Sequence, residues 1–393
     1  MSHQLLAADV LARVEAVREE MVDVRRDLHA HPELGWHEVR TTELLEKRLV
    51  AAGLSPRVLP TGTGLICDIG SGDSCVALRA DIDALPVPDG VDAPWRSTID
   101  GVAHACGHDV HTSALLGTAL VLAGMARDGQ LDRRVRVIFQ PAEEVMPGGA
   151  LGVIAAGGLD GVHRIYGLHC DPRLQVGQVG LRVGALTAAA DRILVRLTGP
   201  GGHTSRPHLT ADLVYALAIL VSELPAALSR RVDPRAGMSL VWGRITSGSA
   251  ANAIPSRGEA EGTLRCLDAN AWRLAEELIP SLAAQIVRPY GVEVDTEVTH
   301  GVPPVMNDAT AINVLHDAVQ QTLGSSAIAP TDQSLGGEDF AWYLEHTPGA
   351  MARLGVRPPT LETAADLHTP GFTPSEEAIT LGTTVLTSTA LLD

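Results

Sequence analysis

Between residues 186 and 298 the hydrophobic pattern changes regime, and that change limits the fold more than any other feature. "RILVRLT" reads as a strand and runs into a Gly-rich loop, "GPGGHTSRPH", and "ADLVYALAILVSELPAAL" follows as a helix. "SLVWGRITSG" and "GEAEGTLRCLD" read as two paired strands, "ANAWRLAEELIPSLAAQIVRPYG" as a second helix and "VEVDTEVT" as a closing strand. The order β-α-β-β-α-β is that of the split-βαβ, ferredoxin-like module. On either side the pattern is different. "VALRADIDALPV", "RVRVIFQPAEE", "RIYGLHC" and "AMARLGV" read as buried strands, with helices at 104–127, at "GALGVIAAGGL", at "DATAINVLHDAVQQTLG", from "GEDFAWYLEH" and at the C-terminus. That alternation predicts a mostly parallel sheet covered by helices. The expected fold is therefore α/β: a discontinuous domain over 1–185 and 299–393, and an inserted α+β domain over 186–298.

A formal charge of −17 with no basic run excludes nucleic acid and anionic membrane surfaces as partners. The longest apolar run, Thr112 to Ala126, is shorter than the ~20 residues that span a bilayer. The N-terminal stretch is charged and amphipathic, without the apolar core of a signal peptide. Five scattered cysteines, an odd number, argue against a secreted disulfide framework. A cytoplasmic location is expected.

In open parallel sheets, ligands bind beyond the carboxyl ends of the strands. "VALRADID" delivers Asp81 and Asp83 there, "VRVIFQPAEE" delivers Glu143 and Glu144, and "RIYGLHC" delivers His169. The segment "HACGHDVH", His104 to His111, stands at the start of a helix, and "DLHTPGF" offers His368 in a loop. Thiolate, imidazole and carboxylate together describe a site for a borderline-soft divalent metal, zinc being the usual occupant. Cys106 and His108 can chelate from one loop, with Glu144, His169 and His368 arriving from elsewhere. Five such groups exceed one tetrahedral zinc that keeps a water, and suit two metals sharing a ligand. Spacing alone does not choose among the histidines of the cluster.

With these residues assembled, the chain resembles the metal-dependent aminoacylase and carboxypeptidase family. Within it the chain is most similar to the amidohydrolase branch that holds hippurate hydrolases and plant hydrolases of indoleacetyl–amino acid conjugates. "RRDLHAHPELGWHE", "LRADIDALPV", "HACGHDVHTSALLG", "FQPAEE", "GLHCDP", "GPGGHTSRPH", "NAIPSRGEAEGTLR", "GGEDFAWY" and "DLHTPGF" carry the resemblance over nearly the whole chain. It implies a catalytic domain that holds two divalent metals, zinc or else manganese, nickel or cobalt, and an inserted lid that forms a homodimer. It implies Cys106, His108, Glu144, His169 and His368 as ligands, Cys106 bridging, and Glu143 as general base. Where relatives have His-x-Asp this chain has "RAD", with Arg79 at the ligand position, so Asp81 is expected to orient a neighbour. His104 and His111 then support the loop or helix.

The implied reaction is metal-dependent hydrolysis of the amide bond of an N-acyl amino acid, releasing a carboxylic acid and a free amino acid. Metal-activated water would be the nucleophile, with Glu143 moving its proton. His203 on the lid resembles the family histidine that stabilises the oxyanion, often from the partner subunit. Asn252 and Arg265 also map to the lid, where Arg265 can hold the substrate carboxylate at two points. Since these three sit on the inserted domain, lid closure is expected to complete the site. A metallo-dipeptidase or carboxypeptidase using the same groups is the alternative, and a catalytically silent binding protein the reading from another class.

Overall fold

A computed structural model describes residues 3–393, with side chains from Ala7 onward. Met1 and Ser2, which open the N-terminal stretch read as free of a signal-peptide core, lie outside the described residues. The chain divides into two compact units. One comprises the chain up to Gly184 with Asn307–Asp332 and Asp339–Asp393; the other comprises Ala185–Met306 and Gln333–Glu338. The second division falls after Met306 rather than at 298. The strand Glu293–Val302 pairs with Ala189–Thr198 as far as Val302, with a register shift between His300 and Val302, so the inserted unit keeps its last strand whole.

The first unit is built on an eight-stranded sheet. Its centre is Arg134–Gln140, Cys75–Asp81, Val162–Gln175 and Gly349–Arg357, each parallel to its neighbour, and antiparallel pairings occur only further out. Every residue of Cys75–Asp81 is buried, as a strand covered on both faces must be. Helix His3–Ala30 contributes Val10, Val14, Met21, Val24 and Leu28 to the core, a helical spacing that lines up one face. Helix His108–Arg127 is buried over most of its length, beside helix Glu377–Leu392. Its 20 residues are long and apolar enough to cross a membrane by length and composition alone, beyond the shorter run counted in the sequence. Yet 83% of its apolar window is buried within the protein, as befits a core helix.

Two elements differ in extent from their reading in the sequence. "RIYGLHC" is the middle of a 14-residue strand, Val162–Gln175, that continues past Cys170, so His169 lies within a strand instead of at its end. The helix read from "GEDFAWYLEH" is a single turn, Ala341–Leu344. Helix Val39–Ala51 and strand Leu65–Gly70 add to the elements expected from the sequence.

The second unit is a four-stranded antiparallel sheet in the order Ser239–Ser247, Arg257–Cys266, Ala189–Thr198, Glu293–Val302. Alternate residues such as Ile193, Val195, Leu197, Ala260 and Leu264 are buried, and helices Leu213–Leu228 and Ala269–Val287 pack on the sheet and on each other. This is the ferredoxin-like arrangement expected from the element order.

Candidate metal centre

Register sets the site. Arg79 pairs with Gly167 and Asp81 with Gln140, so Asp81, Gln140 and His169 lie level across the central strands. At that level the chain enters helix His108–Arg127 through Gly107, whose φ is +85° and whose position would put a Cβ 2.7 Å from Cys170 Sγ. Only glycine fits there, which explains the middle residue of "CGH". Thr112 Oγ1 donates to Asp81 O at 2.9 Å and pins the helix start to the strand end.

The groups gather in one place. The ligand atoms of Cys106, His108 and His169 lie within 4.8 Å of one another, as do those of Cys106, Glu144 and His368, and those of His108, Glu143 and Glu144. Cys106 Sγ is 3.6 Å from His169 Nε2, and His368 Nε2 is 3.2 Å from Glu144 Oε1. His108 Nε2 stands 3.8 Å from Glu144 Oε1 and 4.0 Å from Glu143 Oε2. His368 has a φ of +62°, and its N–H donates to Ala105 O at 2.8 Å, tying the C-terminal loop to the "CGH" turn.

The remaining ring atoms show how each imidazole is held. His108 Nδ1–H donates to Asp83 O at 2.9 Å and His169 Nδ1–H to Cys170 O at 2.8 Å, which leaves both Nε2 lone pairs facing the cluster. His111 is spent at both nitrogens. Its Nδ1 meets Asp81 Oδ1 at 2.7 Å, and its Nε2 accepts from Cys170 N–H at 2.8 Å. Asp81 is in turn paired with Arg79 at 2.7 Å, and both are fully buried. One oxygen of Asp81 thus meets His111 and the other meets Arg79. His104 is buried with neither ring nitrogen hydrogen-bonded, and burial lowers it to about 4.

The electrostatics of the cluster favour positive charge. Burial opposes charge on His108, but Asp81, Asp83 and Glu144 more than reverse this and lift it to about 10. Burial, then Glu144 and Glu143, push the Cys106 thiol well up, so a thiolate here needs a positive neighbour. His108 Nε2, Glu144 Oε1 and Asp83 Oδ1 are buried without a hydrogen-bond partner, an arrangement that costs free energy unless something else satisfies them. Soft thiolate, imidazole and carboxylate donors around such orphaned atoms fit divalent metal.

A sequence profile for peptidase family M20/M25/M40 matches residues 77–392, most of the chain. The chain belongs to peptidase family M20/M25/M40. It is thereby an enzyme, a member of a hydrolase family. Among M20 relatives, the N-acetyl-L-cysteine deacetylase of Bacillus subtilis is 37% identical over 93% of this chain and 86% of its own length. A Rhodococcus jostii protein with a provisional glutamate–cysteine ligase name is 47% identical over 96% of this chain, but the chain spans only 47% of that relative, so the ligase name does not carry over. A solved Bacillus subtilis structure, described as a dinuclear metal-binding M20 peptidase, superposes with a TM-score of 0.83 at 34% identity, covering 96% of this chain and 99% of that one.

His203 and Asn252 belong to the second unit and adjoin each other there: His203 pairs with Ala253, and Thr204 N–H donates to Asn252 O at 3.3 Å. Both are exposed. Arg265 lies near the other end of strand Arg257–Cys266, opposite Ala190. The strand's rise of ~3.3 Å per residue separates it from the His203 end by roughly 25 Å. The structure thus groups His203 with Asn252 and sets Arg265 apart. Asp83, noted in the sequence as a strand-end acid without a role, accepts Glu144 N–H at 2.9 Å and faces His108. Its place two residues after Asp81 on the same strand end was the available signal.

Proposed function

We propose that this M20 protein is a metal-dependent amidohydrolase that cleaves the amide bond of N-acyl amino acids. The observation that carries the reading is the convergence of Cys106, His108, Glu144, His169 and His368, with His108 Nε2 and Glu144 Oε1 buried and lacking a hydrogen bond. These five would hold two divalent ions, and the resemblance gives Cys106 as the ligand they would share. Zinc suits the donors best, with manganese, nickel and cobalt as alternatives. Such ions supply Lewis acidity and bring the pKa of water toward neutrality. Glu143, buried beside His108, would accept the proton of the attacking water and return it to the departing amine.

The second unit would act as lid and dimerisation domain. His203 would donate to the developing oxyanion, and Asn252 and Arg265 would bind the substrate, Arg265 clamping its carboxylate in a two-point ion pair. Because His203 and Arg265 sit at opposite ends of one small unit, contributions from two copies to each site fit better than a single lid serving both. All five cysteines are free, as suits a reducing cytoplasm.

A panel of N-acetyl and N-benzoyl amino acids against dipeptides, with each metal in turn, tests the reading. The expected result is kcat/KM at least ten-fold higher on the N-acyl amino acids, and loss of activity on chelation. A preference for dipeptides would move the protein to the dipeptidase reading, and a metal-loaded protein inert toward both would overturn the proposal.

A further inference from the structure

The segment "HPELGWHE", His31 to Glu38, contributes nothing to the chemistry proposed above, yet it packs against the turn that carries both glutamates. Glu33 and Glu38 divide the work. Glu33 accepts the N–H groups of Arg40 at 3.0 Å and Thr41 at 2.7 Å, so it caps helix Val39–Ala51 from outside. Glu38 is the helix's own N-cap residue and makes no side-chain cap bond. Its carboxyl turns inward, fully buried, and Oε1 accepts the N–H of Ala142 at 2.7 Å.

Ala142 is one of three non-glycine residues with positive φ among the described residues, at +54°. An alanine stays in that region only when its surroundings enforce it. Here they do so from three sides. Ala142 O accepts Gly149 N–H at 3.0 Å. Gly35 lies so close that a Cβ there would stand 3.2 Å from Ala142 Cα and 2.7 Å from Val145 Cγ2. Glu38 holds the N–H. Two residues on, Asp83 accepts the N–H of Glu144, so two acids grip alternate amides of the turn and Glu143 projects from between them.

We infer that Glu38 is a positioning residue for the hydrolysis: by holding the Ala142 N–H it keeps that residue left-handed and so sets the direction in which Glu143 leaves the turn. The inference rests on the reading of Glu143 as proton carrier. Burial, with Asp83 adding to it, raises the Glu38 carboxyl to about 7. Its role needs only an acceptor oxygen, which a glutamine also provides.

The test uses the full metal-loaded chain with N-acetyl-methionine as probe, metal content and melting temperature being measured for every variant. Glu38→Met fills the space without an acceptor. It is expected to lower kcat about 30- to 100-fold, with KM within about three-fold and metal content retained. Glu38→Gln should stay within about five-fold of wild-type kcat. Adding Ala142→Gly to Glu38→Met should recover at least five-fold of the loss, because glycine adopts the left-handed region without help. If Glu38→Met does not fold, Glu38→Ala takes its place with the same expectations. A kcat within two-fold of wild type for the acceptor-less variant, a loss that tracks falling metal content, or no recovery from glutamine or glycine would overturn the inference. Glu143→Gln run alongside separates the two claims: full activity there defeats the underlying reading, whereas an inactive Glu143→Gln beside a fully active Glu38→Met defeats only this one.

Discussion

Replacing Glu143 by glutamine is expected to lower kcat by about three orders of magnitude while the metal content stays that of the wild type. General acid–base groups contribute roughly 10²- to 10⁴-fold, and Glu143 would serve twice in each turnover. Glutamine keeps its size and can still accept hydrogen bonds, but it cannot take a proton from water. The neighbouring substitution separates the roles. Glu144→Gln removes a carboxylate whose Oε1 lies 3.2 Å from His368 Nε2 and 3.8 Å from His108 Nε2, so metal should be lost together with activity. Kinetics paired with elemental analysis read the difference. Activity within ten-fold of wild type in a metal-replete Glu143→Gln protein would remove Glu143 from the mechanism.

The second large effect is on stability. Arg25 and Asp109 form an ion pair at 2.8 Å with both side chains almost wholly buried, and His29 Nδ1 meets the same carboxylate at 2.8 Å. Breaking such a pair by removing one partner costs about 3–5 kcal/mol, because the other charge stays buried without its main counter-charge, here with only His29 beside it. Arg25→Met should therefore destabilise the protein by that amount at neutral pH, measured by denaturant unfolding of the metal-free protein. The pH dependence has a definite sign. Burial opposes ionisation of Asp109, but Arg25 and His29 outweigh it and hold the carboxyl well below its usual range. Stability from the ionised form is thus complete above the ordinary carboxylate titration near pH ~4 and declines as the pH falls through the native value. The gap between wild type and Arg25→Met should narrow below about pH 4. A gap that stays constant, or one under about 1 kcal/mol at pH 7, would contradict the pairing.

Much of this site was legible because strand ends in a parallel sheet mark themselves: an apolar run followed by acids, as in "VALRADID" and "VIFQPAEE", names both the element and its functional end. The inserted module was equally plain, since its element order differs from what surrounds it. Long-range pairings were not. Asp109 lies 80 residues from His29, and Ala142 lies 104 residues from Glu38, so nothing local in "HDVH" or "HPELGWHE" announces the partner. Choosing among the histidines of "HACGHDVH" likewise required the register that sets Asp81 beside His111 and leaves His108 Nε2 unpaired. The extent of Val162–Gln175 was hidden because "DPRLQ" has a loop's composition, whereas its backbone pairs with Gly355 and Arg357 of the neighbouring strand.

Anomalous diffraction from the zinc- or manganese-loaded protein bears most directly on the central claim. The account predicts two peaks per chain, with Cys106 Sγ between them and His108, Glu144, His169 and His368 completing the ligands. No ordered metal, or peaks held by a set that omits Cys106 and His169, would contradict it.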